Sequence, residues 1–176
     1  MIFSDTGLPG LVLVELEPIS DERGSFARSF DAGEWKARGM SSRVVQCNLS
    51  RNIARGTLRG MHYQAAPSAE AKLVRCSKGA IYDVAVDLRP ESPTFCRWLG
   101  EELSADNCRM LFVPEGFAHG FLTLTEDSEV LYQMSEPYEA SLARGVRWDD
   151  PAFAIEWPLQ PLVVSERDRT FPDFRW

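Results

Sequence analysis

The sequence predicts an all-β fold, a double-sheet jelly roll or small barrel with minor short helices. Two observations carry that expectation. The runs VVQCNLS, KLVRCS, AIYDVAVDL, RMLFV, GFLTLT and EVLYQMS are short, rich in Val, Leu, Phe and Tyr, and separated by turn signals such as SKG and PEG. Helix signals, by contrast, gather in one early stretch. Many short strands with tight turns must close on themselves or pack as two sheets to bury their apolar faces.

Taken in order, the first apolar run is LVLVEL, far too short to span a bilayer and interrupted by Glu15 and Glu17. The helix follows in FDAGEWKARGM, with Asp31 as N-cap, Glu34 as the reciprocal capping partner and Gly39 as the C′ stop. Next come VVQCNLS and the β-patterned RGMHYQ. Beyond them, period-two alternation groups Lys72, Val74 and Cys76 on one face, Asp83, Ala85 and Asp87 on another, and Val130, Tyr132 and Met134 on a third. Each face mixes a polar or ionisable group with apolar neighbours. Such groups inside a barrel are costly unless they line a pocket, although Lys72 and Asp87 taken singly also fit a solvated outer face.

A chain of 176 residues without repeats or linkers reads as one domain, residues 1–176. At that size roughly 70% of the unfolded surface is buried, so no covalent staple is needed. Cys47, Cys76, Cys96 and Cys108 form no C-x-x-C pair and no signal peptide precedes them, as expected of reduced thiols in a cytoplasmic protein. The formal charge of −7 leaves no basic face for a nucleic acid. A small anion needs only two or three arginines, and Arg23, Arg28 and Arg59 stand in informative segments.

The chain has two histidines, His62 in RGMHYQ and His119 in PEGFAHGF. His62 is either a proton shuttle near neutral pH or a half-buried strand residue with a satisfied ring. Metal-binding barrels of this shape show two histidines one residue apart, and here the partner position is Gln64. A site built from His62, His119 and a carboxylate stays as the metal alternative. Without metal, the kit is a base (His62), a cation (Lys72), a phenol (Tyr132, with Tyr138 nearby) and carboxylates (Asp83, Asp168) to orient the imidazole. Base, electrophile and a separate acid suit proton removal beside a carbonyl and its return to the other face. No Ser or Cys stands in a nucleophile elbow, which favours an epimerase over a hydrolase.

The segments DERGSF, VVQCNLS, GTLRGMHYQ, AKLVRC, DVAVDLR, VPEGFAHGF, VLYQMSEPY, RGVRWDDP and SERD, in this order over about residues 11–174, resemble the dTDP-4-dehydrorhamnose 3,5-epimerases. The resemblance implies a cupin-type jelly roll (double-stranded β-helix), a homodimer, no metal or other cofactor, and a nucleotide-linked 4-keto-6-deoxyhexose as substrate. It implies His62 as base with Asp168 beside it, Lys72 at the ketone oxygen and Tyr132 as the acid on the opposite face. It further implies Arg59 and Arg23 at the phosphates, Arg23 reaching the neighbouring subunit's site, with Gln46 and Asn48 at the nucleotide. His119 and Tyr138 line the pocket, and Phe26, Arg28 and Asp83 complete the expected substrate contacts. Arg28 stands where many members of that family carry a glutamate, and SRNIARGTLRG has Asn52 and an extra residue before its glycine. A CDP- or GDP-linked sugar inverted at one or both carbons is therefore the close alternative. A metal-dependent cupin oxygenase or isomerase, and a non-catalytic sugar-nucleotide binder, are the alternatives from other classes.

Overall fold

The computed structural model describes residues 1–175; Trp176, the last residue of the expected domain, lies outside them. The strands are β1 (Ile2–Asp5), β2 (Val12–Glu15), β3 (Ile19–Asp21), β4 (Gly24–Phe26), β5 (Gln46–Asn52), β6 (Thr57–Gln64) and β7 (Lys72–Lys78). They continue with β8 (Ala80–Asp87), β9 (Trp98–Ser104), β10 (Arg109–Val113), β11 (Phe117–Thr123), β12 (Ser128–Met134), β13 (Ala143–Gly145) and β14 (Val163–Val164). Two short helices, α1 (Ala32–Ala37) and α2 (Glu166–Arg169), complete the described chain. One sheet has the order β1-β2-β10-β7-β12-β5, the other β13-β6-β11-β8-β9 with β14 parallel to β6, and β3 and β4 form a separate hairpin. This is the cupin jelly roll.

Alternation sorts the side chains as the sequence predicts. Val74 and Cys76 of β7, Leu111 and Val113 of β10, and Val130 of β12 meet Ile81 and Ala85 of β8, Leu103 of β9, and Phe117 and Phe121 of β11. That core fills one part of the space between the sheets, each large side chain contributing roughly 1.5–3 kcal/mol. The adjoining part is polar and holds the cavity described below. The outer face of the first sheet is covered by Trp35 of α1, fully buried against Phe3 and Phe30 at ring distances of 5.1 Å each.

The helix ends behave as sequence chemistry dictates, with one difference. Asp31 accepts from the Gly33 and Glu34 N–H groups at 3.0 and 3.2 Å. Glu34 is no capping partner, however; its carboxylate reaches Arg38 one turn on, at 3.7 Å. At the far end Gly39, at φ +71°, donates to the Lys36 carbonyl while Met40 donates to that of Trp35, which closes a Schellman motif.

Lys72 and Asp87 are both buried, so neither belongs to a solvated face. Their surroundings differ. Asp87 lies away from the cavity and ties down the loop after β8, accepting from Arg89 Nε at 2.8 Å, Ser92 Oγ at 2.6 Å and Thr94 Oγ1 at 2.7 Å. Burial alone would raise the Asp87 carboxyl, but these donors outweigh it and bring it down to about 2.

Gly60 is fixed by sterics. Its φ is +137°, and a Cβ there would sit 2.5 Å from the Cα of Gly120 on β11. Gly60→Ala is therefore expected to destabilise the fold by about 3 kcal/mol through overpacking and backbone strain, read as a lower denaturant midpoint.

Candidate active site

The polar end of the intersheet space opens as a cavity of about 580 Å³. Its second-sheet wall is built around His62. The pairing of β6 with β11 sets His62 opposite His119, and the register then shifts before Phe121, so the Gly60–Met61 step re-aims the strand at this point. On the other side β13 places Gly145 beside His62, and the Phe171 ring occupies the space that a Cβ at Gly145 would need, 2.2 Å away. Phe171 in turn stands edge-on to the imidazole at 6.1 Å. His62 is thus held from both flanks.

Asp168 arrives from the other end of the sequence. Ser165 caps α2 by accepting the Asp168 N–H at 3.1 Å, which aims the nearly buried carboxylate back under β6. One oxygen lies 2.7 Å from His62 Nε2 and the other accepts the Gly60 N–H at 3.2 Å. Burial pushes the Asp168 carboxyl up, but the hydrogen bond and charge of His62, with the Gly60 and Ser165 bonds, outweigh it and hold it below the ordinary carboxylate range. A carboxylate facing Nε2 fixes the proton there and leaves Nδ1 as the basic lone pair.

His119 has its own carboxylate. Its Nε2 lies 2.8 Å from Asp83 Oδ1, and Asp83 is fully buried with Oδ2 unpartnered. This corrects two expectations for Asp83. It orients His119 and not His62, and with no exposed surface it forms no part of the cavity wall. The two imidazoles are each engaged at Nε2 by a different carboxylate, and among the described residues no group of three or more His, Cys, Asp or Glu side chains could hold a metal ion. The Gln64 amide is consumed structurally, donating to the Ser68 and Pro137 carbonyls and accepting from Glu139 N–H.

The opposite wall belongs to the first sheet. Lys72 starts β7 with its ammonium 2.9 Å from Glu70. Tyr132 on β12 sets its ring edge-on to His119 at 6.2 Å. Burial, reinforced by the Asp83 charge, pushes the Tyr132 phenol well above its ordinary value despite the opposing pull of Arg59 and Ser50. The phenol therefore stays protonated and is a donor. Gln46 donates to Asn48 at 3.0 Å and accepts the Tyr138 N–H at 3.0 Å, and both side chains line the cavity with Arg59 and Tyr138. Asn52, singled out in the sequence, accepts from Arg59 Nε at 2.7 Å and so positions that guanidinium.

Besides Asp83, three expected site residues are not gathered into this cavity within one chain. Arg23 projects from the β3–β4 hairpin and pairs with Asp21, Phe26 is 75% exposed, and Arg28 lies 3.4 Å from Asp31. Among the charged cavity residues, Arg144, Arg167 and Glu70 escaped the sequence reading. Arg167 adjoins Asp168 in SERD, and Glu70 precedes Lys72 by two positions, the spacing that shares a face in extended chain. His62 and Tyr132 come from different sheets and both line the cavity between them.

The family model for dTDP-4-dehydrorhamnose 3,5-epimerase matches residues 5–175. A dTDP-4-dehydrorhamnose 3,5-epimerase of Shigella flexneri is 44% identical over 164 residues, 93% of this chain and 90% of that protein. The crystal structure of the Bacillus anthracis dTDP-4-dehydrorhamnose 3,5-epimerase, with TDP and PPi bound, superposes with a TM-score of 0.95 at 42% identity, covering 98% of this chain and 99% of that one. That of the Legionella pneumophila enzyme in complex with dTDP-4-keto-L-rhamnose gives 0.89 at 38% identity, covering 95% and 89%. ChmJ, a 3′-monoepimerase of Streptomyces bikiniensis in complex with dTDP-quinovose, gives 0.87 at 34%, covering 94% and 84%. With the motifs, the jelly roll and the two-walled cavity all in place, this chain belongs to the dTDP-4-dehydrorhamnose 3,5-epimerase family.

Proposed function

We propose that the chain converts dTDP-4-dehydro-6-deoxy-D-glucose to dTDP-4-dehydro-L-rhamnose in the cytoplasm, as one catalytic domain that uses no metal or other cofactor. The observation that carries this reading is the placement of His62 and Tyr132 on opposite walls. The ketone at carbon 4 acidifies the hydrogens at carbons 3 and 5. His62 Nδ1 takes the proton, and Asp168 stabilises the imidazolium that forms. A Lys72 N–H donates to the ketone oxygen as it becomes an enolate. Tyr132 then gives its proton to the carbon from the other side, and exchange with solvent resets both groups.

The nucleotide half of the substrate meets Arg59, Gln46, Asn48 and the half-open ring of Tyr138, with His119 on the wall. Arg59→Ala is expected to weaken dTDP binding about tenfold or more, the loss of a charge-assisted contact to phosphate, while solvent exchange in bound substrate persists. Titration calorimetry with dTDP reads the first effect. NMR at saturating substrate reads the second.

The reading includes a homodimer in which Arg23, Phe26 and Arg28 of one protomer serve the neighbouring site. Ile19 and Phe26 of the β3–β4 hairpin are each 75% exposed. On the outer face near the β5 edge Leu49 is 59% exposed, and the adjoining strands bury Arg75 Nε and Gln133 Oε1 without partners. Apolar surface and unpaired polar atoms of this kind are what a partner chain satisfies.

Two finer alternatives are kept. Likeness to the 3′-monoepimerase keeps inversion at a single carbon in view, and Arg28 keeps a CDP- or GDP-linked sugar in view, since a guanidinium cannot accept the bonds a carboxylate does. The test is incubation with dTDP- and CDP-linked 4-keto-6-deoxyglucose separately, with and without chelator. Faster turnover of the dTDP sugar, unaffected by chelation, supports the proposal. Preference for the CDP sugar overturns the base assignment, and activity lost on chelation overturns the metal-independent mechanism.

A further inference from the structure

The epimerase reading leaves one carboxylate in the cavity without a role. Glu70 lies on the segment between β6 and β7, and its Oε1 is 2.9 Å from Lys72 Nζ. Only 10% of the Glu70 side chain and 6% of that of Lys72 reach solvent, yet both line the cavity. The segment is fixed from both sides: Ala71 N–H donates to Ser135 Oγ at 2.8 Å, Ser135 N–H returns to the Ala71 carbonyl at 2.9 Å, and Gln64 holds the Ser68 carbonyl. Glu70 is a rigid counter-ion.

A nearly dry ammonium is costly unless a negative group compensates it. The other charged groups lining the cavity do not serve. Arg59, Arg144 and Arg167 repel a cation, and Asp168 is committed to His62 and Gly60. Among the described residues Glu70 makes the one ion pair of Lys72. An ammonium has three N–H donors, and an ion pair with Glu70 on one side leaves the other side for substrate. It also restrains the rotatable stem of lysine, so that the remaining donors are aimed before substrate arrives.

The geometry points to Glu70 as a positioning residue of this reaction: resting on the epimerase reading, it anchors Lys72 so that a directed N–H meets the substrate ketone oxygen. With Glu70 ionised the pair has no net charge. Enolate stabilisation then comes from the placement of that donor, and the benefit appears in turnover more than in binding.

Glu70→Gln keeps the shape and an acceptor oxygen but removes the counter-charge. It should lower kcat with the dTDP-linked 4-keto sugar about tenfold or more, with KM within about threefold of wild type and dTDP affinity unchanged. Adding Glu70→Gln to a Lys72→Met background should cost no further solvent exchange, because Glu70 acts through Lys72. That comparison leaves no ammonium unpaired and decides the matter even if the single Glu70→Gln protein proves too unstable to assay. Wild-type kcat in Glu70→Gln, an equal loss in the Lys72→Met background, or a fall in dTDP affinity matching the fall in kcat would each overturn the role of Glu70. A wild-type protein that turns over no 4-keto sugar overturns the epimerase reading instead, and this inference with it.

Discussion

Replacing His62 with asparagine should reduce hydrogen exchange at carbons 3 and 5 by about 10³-fold, the range lost when a positioned general base is removed. No other group on that wall can take over. His119 is the remaining imidazole, and its orientation is set by Asp83 on the neighbouring strand, not by Asp168. Asp168 itself is buried beneath β6 with one oxygen committed to the Gly60 N–H, and does not reach the substrate carbon as a base. Stability should change little, because His62 is half-exposed and Asp168 keeps the Gly60 N–H. Solvent deuterium incorporation followed by NMR, with a thermal melt on the same sample, checks both statements. Wild-type exchange in a folded His62→Asn protein would remove His62 from the mechanism.

Tyr132→Phe should separate two events that normally run together. The base can still take a proton and return deuterium to the same face, so exchange survives. Inversion at carbon 5 needs a donor on the first-sheet wall, and phenylalanine has none, so the carbon-5 epimer should fall by about 10²-fold. The ring keeps its packing against His119 at 6.2 Å and Phe121 at 6.5 Å, so the melting temperature should stay close to wild type. Chromatographic separation of the epimers beside an NMR exchange assay checks the split. Full inversion by the variant would return Tyr132 to the core and leave Tyr138 or a bound water as the acid.

Legibility in the sequence followed the range of the interaction. Period-two alternation placed Lys72, Asp83 and Tyr132 on inward faces because strand geometry is local. The cap of α1 was legible for the same reason. The strand expected at GFLTLT instead spans Phe117–Thr123, since Thr125 leaves the ladder to accept the Ala80 N–H. The strand β9 escaped notice because WLGEELS is only half-buried and carries Gly100, Glu101 and Glu102. No local pattern joins His62 to a carboxylate 106 residues away on a four-residue helix; the residues alone offer Asp83 and Asp168 alike, and only the family resemblance selects Asp168. Asp83 shows the converse. Alternation turned it inward correctly, but register, which sequence does not display, assigned it to His119. Glu70 is legible in AEAK by its i, i+2 spacing to Lys72, but a carboxylate beside a lysine fits a solvated surface pair equally well until burial is known.

The central claim is that base and acid act from opposite sheets on one substrate carbon. The most direct measurement is a partial conversion of dTDP-4-dehydro-6-deoxy-D-glucose by the wild-type protein in heavy water, with the configuration of each newly deuterated carbon read by NMR. Deuterium at carbons 3 and 5 of the L-configured product, on the face opposite to that which lost hydrogen, is the predicted result. Deuterium entering only with retained configuration, or tight binding of the sugar nucleotide with no exchange at either carbon, would contradict it.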